Sequence, residues 1–189
     1  MKYCSACGAP VELRTPCDDN RARHICTACG IIHYQNPRLV IASIPAWKDK
    51  VLLCRRAIEP RYGLWTLPGG FMENGESTGD AAIRETLEEA CARIEIIDLF
   101  SMYSLPYLDQ VHLLFRARLL DLDFAPGQES LEVRLFSEAQ IPWDELAFRP
   151  VRYSLEHYFS DRNKGAFSLH TGELAPPVSL LAQTGSAAI

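Results

Sequence analysis

The chain has no apolar run approaching the roughly 20 residues that a membrane-spanning helix needs, so nothing in its 189 residues calls for a bilayer. It also lacks an excess of positive charge. Its 19 Lys and Arg face 24 Asp and Glu, a formal net charge of −5, whereas a general nucleic-acid binder shows a basic face. No signal-peptide pattern is present, and seven cysteines make an odd total, so thiols kept in a reducing cytoplasm fit better than a disulfide framework. No internal repeat and no low-complexity linker interrupt the sequence. What is there, 48% hydrophobic and 23% charged residues, is the balance of a soluble globular enzyme with length enough for a substantial core.

The cysteines are not scattered. Cys4-Ser5-Ala6-Cys7-Gly8 and Cys26-Thr27-Ala28-Cys29-Gly30 give C-x2-C-x18-C-x2-C, a tetrathiolate zinc spacing, with a glycine after each pair to permit a tight knuckle turn. Four sulfur ligands leave no position for a reactive water, so Cys4, Cys7, Cys26 and Cys29 read as a structural Zn²⁺ site. Cys17, His24 and His33 lie near the knuckles and could be spare ligands, but a polar loop or packing role is the reading favoured for each. Cys54, among Val51, Leu52 and Leu53, reads as a small buried strand residue.

The other concentration of chemistry is Gly70 to Ala92. Glu85, Glu88 and Glu89 stand at i, i+3 and i+4, one face of a helix, and Ile83, Leu87, Ala90 and Ile94 fall on the opposite face, which is expected to pack. Like charges at i,i+4 repel by about 0.2–0.5 kcal/mol per pair, so a cation is expected among them, and hard oxygen ligands suit Mg²⁺ or Mn²⁺ together with phosphate. Arg84, one turn before Glu88, can orient its carboxylate. Leu67-Pro68-Gly69-Gly70 reads as a turn where missing side chains let a phosphate approach.

Elsewhere, Arg38 to Ala46 and Lys50 to Arg56 read as a hairpin around Trp47-Lys48-Asp49. Leu64 to Leu67, Ile94 to Tyr103, Val111 to Leu120 and Leu131 to Phe136 read as further strands. Helices are expected over about Ser77 to Cys91, with Ser77 or Thr78 as N-cap, and over Val151 to Ser160. The fold class is α/β. Residues 1–35 form the ribbon, 36–172 the main domain with its C-terminal helix, and 173–189 a flexible tail.

Gly70, Glu76, Arg84, Glu85, Glu88 and Glu89 resemble the Nudix box, G-x5-E-x7-R-E-U-x-E-E-x-G-U, with every charged position present. Thr86 and Ala92 stand where the pattern has aliphatics, and Cys91 where it has glycine. A left-handed Cys91 would cost about 1–2 kcal/mol. The resemblance implies an α/β/α sandwich with a mixed sheet behind a small zinc ribbon. It implies metal-dependent hydrolysis of a nucleoside diphosphate linked to another moiety. Glu85 and Glu89 would be metal ligands, Glu88 a ligand or water-activating group, and Arg84 their positioner. A further acid from a later loop is expected, with Glu129 ahead of Glu132. Relatives of this kind are often homodimers.

The attached group is recognised outside the box. Ile32-His33-Tyr34-Gln35-Asn36-Pro37, Leu53 to Ala57, Trp65 to Phe71 and Gln110 to Arg116 look like a group linked to FAD and ADP-ribose pyrophosphatases. NADH pyrophosphatases carry S-Q-P-W-P-F-P-x-S after the box, where this chain has Ser101-Met102-Tyr103-Ser104-Leu105-Pro106-Tyr107, so FAD or ADP-ribose is favoured over NADH or NAD. Arg55 and Arg56 end a strand where one could reach a pyrophosphate; Gly69, Gly70 and Phe71 complete the expected substrate set. Tyr62, Trp65, Phe71 and Tyr103 could stack on a base. Two rivals remain: a non-catalytic ADP-ribose-binding regulator, which should have lost box carboxylates, and a zinc-ribbon nucleic-acid-binding protein, whose Arg14, Arg21, Arg23 and Arg38 are offset by Glu12, Asp18 and Asp19.

Overall fold

Two runs of chain condense separately in the computed structural model, Met1–Pro37 and the part from Arg38 onward; residues 1–177 are described. The first is a three-stranded antiparallel sheet, β1 (Val11–Arg14), β2 (Arg23–Cys26) and β3 (Ile32–His33). Ten strand residues cannot bury a core of their own, and the unit folds around its cysteines instead.

The second unit is built on β4 (Arg38–Trp47), which alternates its side chains between two covered faces. Ile41 packs with Ala81 and Ala82, while Ala42 and Ile44 pack with Val151, Leu155 and Phe159. Around β4 stand β5 (Lys50–Arg56), β6 (Trp65–Thr66), β7 (Gly69–Phe71), β8 (Ile94–Leu105), β9 (Gln110–Leu119), β10 (Ser130–Ser137) and β11 (His170–Glu173). The main order is β10-β5-β4-β9-β8-β11, with β6 on β5 and β7 on β4; β4–β9 and β8–β11 are parallel and the other pairs antiparallel. Helix α1 (Thr78–Ala90) covers one face and α2 (Arg149–Lys164) the other, giving the expected α/β/α sandwich with a mixed sheet.

The expected hairpin forms through Ala46↔Val51 and Trp47↔Lys50. Ser77 is the N-cap of α1, in a reciprocal capping box with Asp80. Three expectations need correction. Gly69 and Gly70 belong to β7 rather than to a turn, paired with Ala42 and Ile41. Glu173 is in β11 and the N–H of Leu174 donates to Ser104, so the tail does not begin at 173; residues 178–189 of that segment lie outside the described residues. The third concerns the face of α1 that packs. Ile83 and Leu87 are 40% and 52% exposed, and the buried residues are Ala81, Ala82, Glu85, Thr86, Glu89 and Ala90. The physical reason is size: a stripe of alanines and a threonine lets the helix lie close to the sheet, and β7 opposes it with two glycines. Thr86 bonds the carbonyl of Ala82 and the hydroxyl of Ser43, both at 2.7 Å, so a hydroxyl at this usually aliphatic position is fully satisfied. Among the described residues, no helix is long and apolar enough to cross a membrane.

Candidate active site and metal centre

The four ribbon cysteines converge. Their Sγ atoms all lie within 4.8 Å of one another, with Cys4–Cys29 at 3.7 Å, Cys7–Cys26 at 3.5 Å and Cys7–Cys29 at 3.6 Å. Tetrahedral zinc with Zn–S bonds of about 2.3 Å puts sulfurs about 3.8 Å apart, so the donor set fits. Backbone N–H groups of Ala6, Ala28 and Cys29 donate to Cys4 and Cys26, and Gly8 and Gly30 turn the chain at φ 73° and 74°. Those amides, Cys29 first, help pull the Cys26 thiol down to about 6. His33, expected as a loop or packing residue, lies in β3 with its Nε2 3.3 Å from the Cys4 sulfur, close enough to hydrogen-bond it.

In the second unit, burial decides the character of the box. Glu85 and Glu89 are 8% and 7% exposed, while Glu88 stands outside. Burial raises the Glu85 carboxyl above its ordinary range and pushes Glu89 up to about 8, each aggravated by neighbouring carboxylates that include Glu129. Gly69 donates its N–H to Glu89 at 3.3 Å. A Cβ on Gly70 would lie 2.6 Å from both Glu85 oxygens, which is why this strand needs glycine there.

Arg84 is held from several sides. It bonds Glu76 at 2.9 and 2.8 Å, Glu85 at 2.7 Å, Glu88 at 3.2 Å and the Phe71 carbonyl at 3.2 Å. Its expected partner, Glu88, is therefore the most distant of three carboxylates, and Glu76 is the main one. The guanidinium holds Glu76 down to about 2. The Pro126 to Ser130 loop is seated by α1 itself: Ala125 and Gly127 donate N–H groups to the carbonyls of Ala90 and Glu89, both at 3.0 Å, filling helix-end acceptors. A Cβ on Gly127 would overlap the Glu88 carbonyl, and this close approach brings exposed Glu129 into the electrostatic range of Glu85 and Glu89. Glu132 pairs loosely with Arg134 at 3.8 Å instead.

The two arginines of β5 separate. Arg55 is exposed and donates to the Gly63 carbonyl, away from the acids. Arg56 is buried, bonds the Pro60 carbonyl, lies 5.0 Å over Phe148 and pulls on Glu89 electrostatically. Phe71 is 47% exposed with Arg38 4.7 Å over its ring, and Tyr62 is exposed, so both can offer a ring face. Trp65 and Tyr103 are core residues; Trp65 packs edge-on against Phe136 at 4.8 Å. Among the described residues, only the cysteines bring three or more ligating atoms within 4.8 Å of one another. Glu85 and Glu89 nevertheless suit a divalent ion. They are two crowded carboxylates in a buried site beside a glycine strand, and Mg²⁺ is typically held by one or two carboxylates plus substrate phosphates and water.

A "Nudix N-terminal" zinc-ribbon model matches residues 2–35, and a "NUDIX domain" model matches residues 37–159. The chain is 28% identical over 166 residues to the NAD-capped RNA hydrolase NudC of Stutzerimonas stutzeri, covering 85% of this chain and 57% of that one. Thus it spans little more than half the length of that relative. It is 31% identical over 119 residues to the ADP-ribose pyrophosphatase of Methanocaldococcus jannaschii, covering 61% of this chain and 69% of that one. A crystal structure of a NUDIX hydrolase from Nitrosomonas europaea is 55% identical and superposes with a TM-score of 0.88, covering 92% of this chain and all of that one. With the box carboxylates on α1, the ribbon cysteines converged and both models matched in order, the chain belongs to the Nudix hydrolase family, as a Nudix domain preceded by its zinc ribbon.

Proposed function

We propose that the protein is a Mg²⁺- or Mn²⁺-dependent pyrophosphatase that cleaves the diphosphate of a nucleoside-diphosphate-linked metabolite and releases a mononucleotide such as AMP. The observation that carries this reading is the buried pair Glu85 and Glu89 against the glycines of β7. A carboxylate buried with one N–H donor is poorly satisfied, and a divalent cation with its phosphate supplies what is missing. Bound there, the ion would neutralise charge developing on the phosphoryl oxygens and acidify a water.

The protein's own groups do the rest. Glu85 and Glu89 hold the ion. Arg84, fixed by Glu76, sets the orientation of Glu85 and of the outward Glu88. Glu88 or Glu129 takes the proton of the attacking water; both face solvent, where a proton can leave. The amides of Gly69 and Gly70 and the ring of Phe71 line the approach, and Arg56 adds positive charge beside Glu89. Arg55 serves the outer rim at most, because its guanidinium is engaged with Gly63.

FAD and ADP-ribose are the substrates favoured by the segments flanking the box, and the name of the archaeal relative supports ADP-ribose. NADH or NAD is the second reading, supported by the name of the Stutzerimonas relative. We place the protein in a reducing cytoplasm, consistent with seven cysteines that form no disulfide, and the family resemblance admits a homodimer. The test is release of AMP from ADP-ribose, FAD, NADH and a nucleoside triphosphate with Mg²⁺ or Mn²⁺, beside Glu88→Gln and Glu89→Gln. Turnover that collapses in the variants supports the reading. Absence of turnover in zinc-loaded, folded wild type would refute it and leave the non-catalytic ADP-ribose binder in its place.

A further inference from the structure

One side chain beyond Arg56 lies a cavity of about 300 Å³ that the box chemistry does not use. Its wall includes Arg61, Arg149 and Arg152, with Trp143 and Phe148 as aromatic surface and Asp144 as the one acid. In a chain of net charge −5, three arginines gather around a single cavity; Asp144 in the wall and Glu156, paired with Arg152, offset part of that charge, and Arg61 is left as the unpaired cation. Phe148 joins the two places, since one face carries the Arg56 guanidinium and the ring also lines the cavity.

The three arginines are not equally committed. Arg149 bonds the Ala175 carbonyl and Tyr153, and Arg152 bonds Glu156 and the Trp143 carbonyl. Arg61 has no side-chain hydrogen bond or ion pair among the described residues and is exposed. Its backbone is also left-handed, at φ 72°, a conformation in which any Cβ crowds the following carbonyl. A strained, unpaired arginine at the mouth of a cationic and aromatic cavity is suited to a planar, bidentate contact with a phosphate.

We propose that this cavity binds a phosphate carried by the substrate beyond its scissile diphosphate, either a phosphomonoester on a nucleoside or the phosphodiester of a nucleotide chain. The inference rests on the pyrophosphatase reading for the position of the scissile diphosphate, with Arg56 between the two. Arg61 contacts the extra phosphate first, Arg152 reaches it by exchanging its Glu156 contact, and Trp143 and Phe148 flank its nucleoside. Forms of such nucleotides that also bear that phosphate then bind more tightly than ADP-ribose or FAD, which lack it and engage the box alone.

The test is binding without turnover. Zinc-loaded protein free of Mg²⁺ is titrated with adenosine 3′,5′-bisphosphate, AMP and adenosine by calorimetry, with Trp143 fluorescence as the local signal and Trp143→Phe to assign it. One charge-assisted phosphate contact should make the bisphosphate bind about tenfold or more tightly than AMP. Arg61→Asn, which removes the cation while tolerating the left-handed backbone, should erase that advantage, and Arg152→Gln should reduce it. The dinucleotide pApA separates the sources: tighter binding than the bisphosphate assigns the cavity to a nucleotide chain, weaker binding to a phosphomonoester. Equal affinity for AMP and the bisphosphate, or an advantage that survives Arg61→Asn, would overturn the proposal. If the bisphosphate advantage holds while no diphosphate is hydrolysed, the pyrophosphatase reading alone fails.

Discussion

Replacing Glu89 by Gln should stabilise the metal-free protein while removing a carboxylate from the proposed metal site, and the size of the gain follows from burial. Glu89 is 7% exposed, its carboxyl is raised from 4.5 to about 8 by desolvation, and the Gly69 N–H is its single hydrogen-bond donor. Because the folded value lies above the unfolded one, the folded protein keeps a proton that the unfolded chain has released. The contribution is whole below about 4.5 and is lost as pH rises through about 8. Each pH unit inside that window removes about 1.4 kcal/mol, so by pH 7 wild type has lost about 3 kcal/mol relative to pH 4.5. Gln keeps the acceptor for Gly69 and carries no charge at any pH. At 2–4 °C per kcal/mol for a chain of this size, Glu89→Gln should melt roughly 6–12 °C above wild type at pH 7 and converge with it below about pH 4.5. Calorimetry on zinc-loaded protein without Mg²⁺ reads both. Excess Mg²⁺ should then raise wild type, by about 2.7 kcal/mol at a hundredfold excess over its Kd, and leave the variant where it was. Parallel pH profiles for the two proteins would refute the reasoning.

Cys91 ends α1 in the left-handed region at φ 49°, so Cys91→Gly should add about 1 kcal/mol in thermal unfolding with catalysis intact; a lower Tm would count against it. Gly127→Ala drives a Cβ into the Glu88 backbone, whereas Gly70→Ala meets only the Glu85 side chain. The first should therefore lower Tm more, by about 2 kcal/mol or beyond, and the second should lower metal affinity more, as isothermal titration with Mn²⁺ would report. Loss of the Glu76–Arg84 contact on acidification follows the opposite sign to Glu89: Glu76 is held down to about 2, so its contribution is present above 4.5 and disappears as pH falls through about 2. Glu76→Gln should flatten the acid limb of the unfolding profile. Stripping zinc with a strong chelator should open Met1–Pro37 to proteolysis, since ten strand residues have no core to hold them; a ribbon that resists protease without zinc would contradict the metal assignment.

Much of this architecture is local, and local features are legible. The C-x2-C spacing forces knuckles whatever surrounds it, and the helix boundaries follow from Ser77 at one end and Cys91 at the other. The hairpin at Trp47 and the strands β5, β9 and β10 follow from apolar runs and turn residues. Where the sequence misled, a distant partner had decided. Periodicity alone put Ile83 and Leu87 against the core, because bulk and hydrophobicity are its only guides. The sheet instead presents Gly69, Gly70 and Ser43, small groups that accept small residues and two carboxylates. β11 is not legible in the sequence, because His170 to Glu173 has no apolar pattern and is a strand only through its parallel register with Ser101 to Ser104.

The sequence by itself determined the order of the two units, the four cysteines that converge, the acidic box and the arginine among its carboxylates, since each depends on residue types at fixed spacing. Tertiary structure alone decided which glutamates are buried, that Glu76 is Arg84's main partner, that Arg56 faces the acids and Arg55 does not, and that Gly127 docks Glu129 beside them. It also assembled Arg61, Arg149 and Arg152 around one cavity from segments some ninety residues apart in sequence. The physical reason is the same throughout: spacing fixes geometry within an element, whereas burial, and with it protonation and charge, depends on what the rest of the chain places opposite.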